Sequence, residues 1–503
     1  MHDPVRAEAG GPVEELAAFR WALYGCLTAR RDALFELVDA LTCRPGRVDS
    51  LPALSLEPEL RRGHGGLYAA LTRGRIAVES VRELLLGTVA AGRDGLVWFA
   101  GDVSNWPRPD AACSPERLRV FDRSSRSLAG DPVTAGWPYA VLAGLEWGPT
   151  SWTAPVDATR LGPSDSLTQV TLAQIERVLA GFAAAGRTET PGFAFDADYD
   201  LMAFSHALSR TGGGTGGGTG GGVPRVHIVG RLRSNQVFHA DPDPDPDTGP
   251  GPGGGAPPRQ GRRGRPRRHG AAIKLNDPAS LGVPDRTAEL DSPRYGRVRL
   301  SAWDHRHRRQ RRDGYWARVE GPLPIVRGSV IRVEVERLSG KGGRPDKPMW
   351  LWHAGPIPLD LETIFAVYQR RFDLEHTFRF FKQDLGWTLP APLHPTTADR
   401  WTWLVLAAYT QLRLARRICR DLRLPWEKPA DPERIPPRRV RRDFRRLHAL
   451  LGTPANPPKF SRPGPGRPRG STRPPHERHP SHRKHSRARR KHRNTATKVK
   501  PTG

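Results

Sequence analysis

Apolar residues first recur at helical spacing over residues 14–43. Leu16, Phe19, Leu23, Leu27, Leu34 and Val38 fall three, four or seven apart. This predicts a helix, and a second helical stretch over 67–91 follows a Pro/Leu-rich joint. Together they predict a small helical N-terminal domain, residues 1–92. The pattern then changes. Leu96–Ala100 is a continuous apolar run between Gly95 and Gly101-Asp102, as a buried strand would be. Tyr139–Leu145, Gly192–Phe195 and Val226–Val229 read as further strands, with an amphipathic helix over 167–185. Strands alternating with helices argue for an α/β core, whose first part spans 93–234. From 235 to 355 strand signals continue without strong helices, at Arg297–Leu300, Gly314–Val319, Val330–Val335 and Met349–Trp352, which predicts a β-rich insertion. Residues 359–386 carry the strongest helical pattern, and a long helix over about 398–421 follows. These close the core within 356–425.

Composition adds what periodicity does not show. Two low-complexity inserts, TGGGTGGGTGGG at 211–222 and DPDPDPD at 241–247, read as linkers. Residues 426–503 read as a basic, largely disordered tail, with almost no apolar residue from about 453. The formal net charge is +28, from 80 Lys+Arg against 52 Asp+Glu. Such a chain attracts polyanions, so nucleic acid is the expected partner. Only ten of those cations are Lys. The four cysteines, Cys26, Cys43, Cys113 and Cys419, lie far apart with no C-x-x-C pair, which argues against a zinc site or a disulfide framework. The N-terminus does not have the pattern of a signal peptide, and no apolar run reaches membrane length. No G-x-x-x-x-G-K-[ST] loop is present, so no nucleotide cofactor is expected. A cytoplasmic protein, associated with the nucleoid when bound to DNA, fits these features.

The chemistry concentrates on the 359–386 helix. On a wheel of about 100° per residue, Tyr368, Arg371, Glu375 and Lys382 share a stripe about 60° wide beside the apolar face. A carboxylate can hold a metal there, and cations and a phenol can hold phosphates around it. The plain alternative is an exposed face with an Arg371–Glu375 ion pair at i, i+4.

The spacing Y-x2-R-x3-E-x6-K at Tyr368, Arg371, Glu375 and Lys382 resembles the signature of DDE transposases of the insertion-sequence-four type. The resemblance implies a bacterial mobile-element protein with a ribonuclease-H-like mixed sheet flanked by helices, interrupted by the β insertion. It also implies two upstream aspartates at the ends of core strands. Asp102, in GDVSNWPR, follows Leu96–Ala100. Asp196, in DADYD, follows Gly192–Phe195 and resembles the family's D-A-x-Y segment. Asp198 is the fallback for the second position, since Asp196, Asp198 and Asp200 alternate along an extended segment.

Asp102, Asp196 and Glu375 are thus the expected catalytic and metal-ligating residues. Oxygen ligands favour two Mg²⁺ ions, or Mn²⁺, for phosphodiester cleavage and strand transfer. By resemblance, Tyr368, Arg371 and Lys382 contact phosphates of double-stranded DNA near the element's ends. A homodimer is expected to pair two ends. Trp303 and Trp316 are candidates for trapping a flipped base, with core packing as the alternative. Arg265 and Arg267, in R-G-R-P-R at 263–267, match an AT-hook-like minor-groove contact, and Gly466–Arg469 is a partial second copy. Two other readings stay open: a decayed or domesticated transposase that only binds DNA, and a related ribonuclease-H-fold nuclease or resolvase.

Overall fold

A computed structural model describes residues 11–121, 133–210, 225–242, 268–337, 347–459, 468–472 and 475–482. Arg265, Arg267, the glycine spacer, most of the DP repeat and the end of the basic tail lie outside the described residues.

The expected first helix is two helices. Helix α1 (Pro12–Cys26) runs into a short strand β1 (Leu27–Ala29), and α2 (Arg31–Cys43) restarts after Arg30, whose φ of 51° is left-handed. A short α3 (Leu51–Leu54) and α4 (Gly63–Arg73) follow. Then come β2 (Arg75–Ile76) and α5 (Val78–Gly87). Leu27 pairs with Ile76 across β1 and β2, so strand pairing interrupts the helix although Leu27 keeps its buried place in the apolar series.

The centre is a mixed sheet. It holds β3 (Leu96–Pro107), β4 (Leu118–Phe121), β5 (Val133–Leu145) and β6 (Thr153–Arg160). After α6 (Leu167–Ala184) comes β7 (Thr190–Phe195). After α7 (Leu201–Arg210) comes β8 (His227–Leu232). Strands β3, β5 and β6 pair antiparallel, whereas β7 lies parallel to β3 and β8 parallel to β7. The β-rich segment supplies β9 (Val237–His239), β10 (Ala272–Lys274), β11 (Arg286–Ser292), β12 (Gly296–His307), β13 (Arg327–Val335) and β14 (Met349–Ala354). β14 pairs antiparallel with β8, so this segment extends the central sheet to twelve strands among the described residues. One expected strand there is different: Gly314–Arg318 is a 3-10 turn that buries Trp316.

The helix expected over 359–386 is broken into α8 (Leu361–Arg370) and α9 (Asp373–Gln383). Asp360 caps α8 by accepting from the Thr363 N–H at 2.6 Å. At the joint the Phe372, Leu374 and Glu375 N–H groups bond three residues back, to Gln369, Arg371 and Phe372, a tight 3-10 pattern. Helix α10 (Pro395–Ala415) is buried along most of its length.

The stretch after 425 is not all tail. Helix α11 (Pro437–Leu451) buries Val440, Phe444 and Leu447, and residues 475–482 run beside β4, with the His482 N–H on Arg117 O at 2.7 Å. Its Arg-rich sequence hid α11: every third or fourth residue is apolar or paired, and the rest carry charge.

Two apolar layers sandwich the sheet. One face of β7, β8 and their neighbours packs α6 and α7 through Phe99, Phe193, Phe195 and Phe204. The opposite face, with Trp98, Ala100 and Ala194, shares one continuous cluster with α1–α5, α8–α10 and α11. The N-terminal helices therefore share a core with the helices that end the chain's folded part. Among the described residues no helix is long and apolar enough to cross a membrane.

Candidate active site

Alternation along β3 and β7 places two of the expected acids side by side. The parallel register pairs Phe99 with Phe193 and Ala100 with Ala194. Two residues further on, Asp102 and Asp196 leave the same face as Ala100 and Ala194. That is the face covered by α8 and α9. Asp102 lies inside β3, paired with Val141 of β5, rather than past the strand's end. Asp196 lies one residue beyond β7.

Gly101 makes the approach possible. A Cβ there would stand 2.4 Å from Cε1 of Phe195, so the Phe195 ring occupies the space on the opposite face.

Helix α9 brings in the third acid through a cation. The Arg371 guanidinium, 4 % exposed, lies between two carboxylates: Nη1 is 3.5 Å from Asp102 Oδ2, and Nη2 is 3.5 Å from Glu375 Oε1. Its face also stacks over Phe372 at 4.6 Å. Arg371 and Glu375 thus form the i, i+4 ion pair, and that pair adjoins Asp102.

The electrostatics show crowded negative charge. Burial raises the Asp102 carboxyl to about 6; Arg371 opposes the shift, and Asp196 and Glu375 add to it. Burial raises Asp196 as well, against the Asp198 N–H that donates to Asp196 Oδ1 at 2.9 Å. Burial works against the charge of Arg371, and Tyr368 with Asp102, Asp196 and Glu375 overrides it, so its pKa rises.

The fallback acids do other things. Asp198 is exposed and pairs with Arg233. Asp200 caps α7 by accepting from Ala203 N–H at 3.2 Å, and its Oδ2 accepts from Trp316 Nε1 at 3.1 Å. Because the chain turns after Asp196, the alternation expected for an extended segment does not apply.

The rest of the Tyr-Arg-Glu-Lys stripe divides at the α8–α9 joint. Tyr368 is fully buried, with its hydroxyl meeting no hydrogen-bond partner, and Arg371 lies 5.5 Å over its ring. It faces the core rather than an open surface. Lys382, in the last turn of α9, places Nζ 5.8 Å over the Trp387 ring. Trp303 and Trp316 are both buried, Trp303 beside Trp350 at 5.8 Å, so each packs the core. Sequence reading missed Tyr199. It is buried against Phe195 at 4.7 Å, and burial, with Asp102 and Asp196 nearby, raises its phenol well above the ordinary value. The D-A-x-Y string held that signal.

This donor set suits divalent cations. It offers oxygen only, and burial, with Asp196 and Glu375 adding to it, holds the Asp102 carboxyl at about 6. Among the described residues the three carboxylates do not close on a point: a set of three donors within 4.8 Å of one another occurs elsewhere.

A family model described as DDE superfamily endonuclease matches residues 22–310. The match takes in Asp102 and Asp196 and ends before Glu375. No curated protein matches the chain.

Proposed function

The chain belongs to the DDE superfamily of endonucleases, and on that premise we propose that it is a transposase that cuts and joins DNA at the ends of an insertion sequence. The observation that carries this reading is the meeting of Asp102, Asp196 and Glu375 around Arg371, beside the spacing of Tyr368, Arg371, Glu375 and Lys382. A sheet of three antiparallel strands continued by two parallel ones, with helices on both faces, supports a ribonuclease-H-like core.

Asp102, Asp196 and Glu375 would hold two Mg²⁺ ions, which supply Lewis-acid polarisation of the attacking and leaving oxygens. Asp102, inside β3, and Asp196, one residue past β7, would present their carboxylates from neighbouring strands with little need of reordering when DNA arrives. Glu375, on the helix and half exposed, completes the set from the open side. Arg371 holds the carboxylates together and is placed to meet a phosphate when it leaves Glu375. Lys382 sits two turns further along the same helix, where it would meet a further phosphate. We read the helices within 1–92 as the DNA-binding segment and a homodimer as the form that pairs two ends. The basic residues at 263–267 and in the tail would add salt-sensitive affinity.

The test is cleavage of DNA carrying the element's own ends, with Mg²⁺. Glu375→Gln and Asp102→Asn should each lower the rate about a hundredfold or more while leaving DNA affinity within a few-fold. Unchanged Mg²⁺-dependent rates would remove these residues from the site. DNA binding without metal-dependent nicking would favour the binding-only reading. A preference for branched DNA without end specificity would favour a resolvase.

A further inference from the structure

A second group of donors lies away from the carboxylate cluster. The Cys43 thiol, the Glu59 carboxylate and a His448 ring nitrogen all lie within 4.8 Å of one another. Cys43 ends α2, Glu59 sits in the turn between α3 and α4, and His448 is in the last turn of α11. Cys43 is 1 % exposed, and the Glu59 side chain 5 %. We propose that Cys43, Glu59 and His448 form a structural zinc site that pins α11 to the N-terminal helices.

Donor chemistry selects the ion. Sulfur, imidazole nitrogen and one carboxylate make a borderline-soft set, which suits Zn²⁺ and not the hard Mg²⁺ of the oxygen-only cluster. A tetrahedral ion about 2.0–2.3 Å from each donor sets the donors about 3.3–3.8 Å apart. From within 4.8 Å, small side-chain adjustments reach that spacing.

The surroundings orient the ligands. Asp39 Oδ2 lies 3.2 Å from His448 Nε2, while Asp39 Oδ1 accepts from Arg20 Nη1 at 2.8 Å. With the Nε2 proton directed to this buried carboxylate, Nδ1 would be the nitrogen that binds an ion. Metal-binding histidines are oriented in this way. Arg445 fixes Glu59, with Nε on Oε1 at 2.8 Å and Nη2 on Oε2 at 3.2 Å. Each carboxylate oxygen retains a further lone pair. Zn²⁺ uptake would form a Zn–S bond and release the thiol proton to solvent. Water would take the fourth position.

The C-x-x-C rule could not find this group, because its members are 16 and 389 residues apart.

The experiment uses the full chain, expressed with zinc and purified without chelator. Elemental analysis should find about one Zn²⁺ per chain. After exchange, Co²⁺ alone should give thiolate-to-cobalt charge-transfer absorption in the near ultraviolet. Cys43→Ser and His448→Asn should each lose that absorption and lower bound zinc at least tenfold. Cys113→Ser, which removes a partly exposed thiol elsewhere, should keep both signals. Wild-type protein without zinc and without the cobalt–thiolate band would overturn the site, even if the variants fail to fold. So would a band that survives in Cys43→Ser or disappears in Cys113→Ser. Glu375→Gln should keep its zinc, so loss of the catalytic reading would leave this result standing.

Discussion

At the residue scale, the Arg371 guanidinium explains how crowded carboxylates coexist before a metal binds. Its two ends lie 3.5 Å from Asp102 and from Glu375. Arg371→Ala removes the cation and leaves the partly buried Asp102 without a counter-charge. We expect a loss of about 2 kcal/mol in urea unfolding at pH 8. Arg371→Lys should recover only part of it, since one ammonium cannot reach both carboxylates as a planar fork does. Asp102 also carries a pH signature. Its folded pKa of about 6 lies above the unfolded value of about 3.9, so the folded state holds this proton more tightly. The resulting stability is present below about pH 4 and is lost as pH rises through 6. Two units correspond to at most about 3 kcal/mol. Without added Mg²⁺, Asp102→Asn should therefore raise the thermal midpoint at pH 8 and change it little at pH 4. A midpoint gain equal at both pH values would contradict the buried acid.

At the element scale, the position of the acids depends on β3 lying close to β7. Gly101 allows this because Phe195 fills the space a side chain would need. Gly101→Ala should cost about 1–3 kcal/mol by overpacking. It should also lower Mg²⁺-dependent cleavage at temperatures where the variant stays folded, since its neighbour Asp102 moves with the strand. Retained stability and rate would show that Phe195 yields freely. The strand Leu96–Ala100 and the helix 167–185 were legible because their apolar periods match the elements they form. The helix over 359–386 was legible as helical but not as broken. Every residue near Arg371 stays in the right-handed region, so no Gly or Pro marks the 3-10 joint. The wheel therefore treated two helices as one and did not show that Tyr368 is buried.

At the scale of the whole molecule, first and last helices meet. Arg441 of α11, 2 % exposed, donates to the carbonyls of Leu41, Gly46 and Asp384, each at 2.9 Å. It ties α2, the following loop and the end of α9 to one side chain. Arg441→Ala leaves the buried Leu41 and Asp384 carbonyls without that donor and opens a void, and should lower stability by about 3 kcal/mol in denaturant unfolding. Residues 483–503 hold nine Lys and Arg. Their removal should leave stability unchanged and flatten the dependence of DNA affinity on salt, in proportion to the phosphates they neutralise. An unchanged slope would show that the tail does not touch DNA.

The sequence by itself determined the elements whose signal is local: the apolar runs that lead to Asp102 and Asp196, the helical run through Glu375, and the basic charge. The three acids became candidates through the resemblance of the Tyr368, Arg371, Glu375 and Lys382 spacing to the DDE signature, since alternation and helical period describe only neighbouring residues. Only the tertiary structure decided which acids share a face, that Arg371 lies between two of them, that Tyr368 turns inward, and that α11 returns to the first helices. Those outcomes depend on contacts between residues as far apart as Arg20 and Gln411, and no local period records which distant partner a buried charge will find.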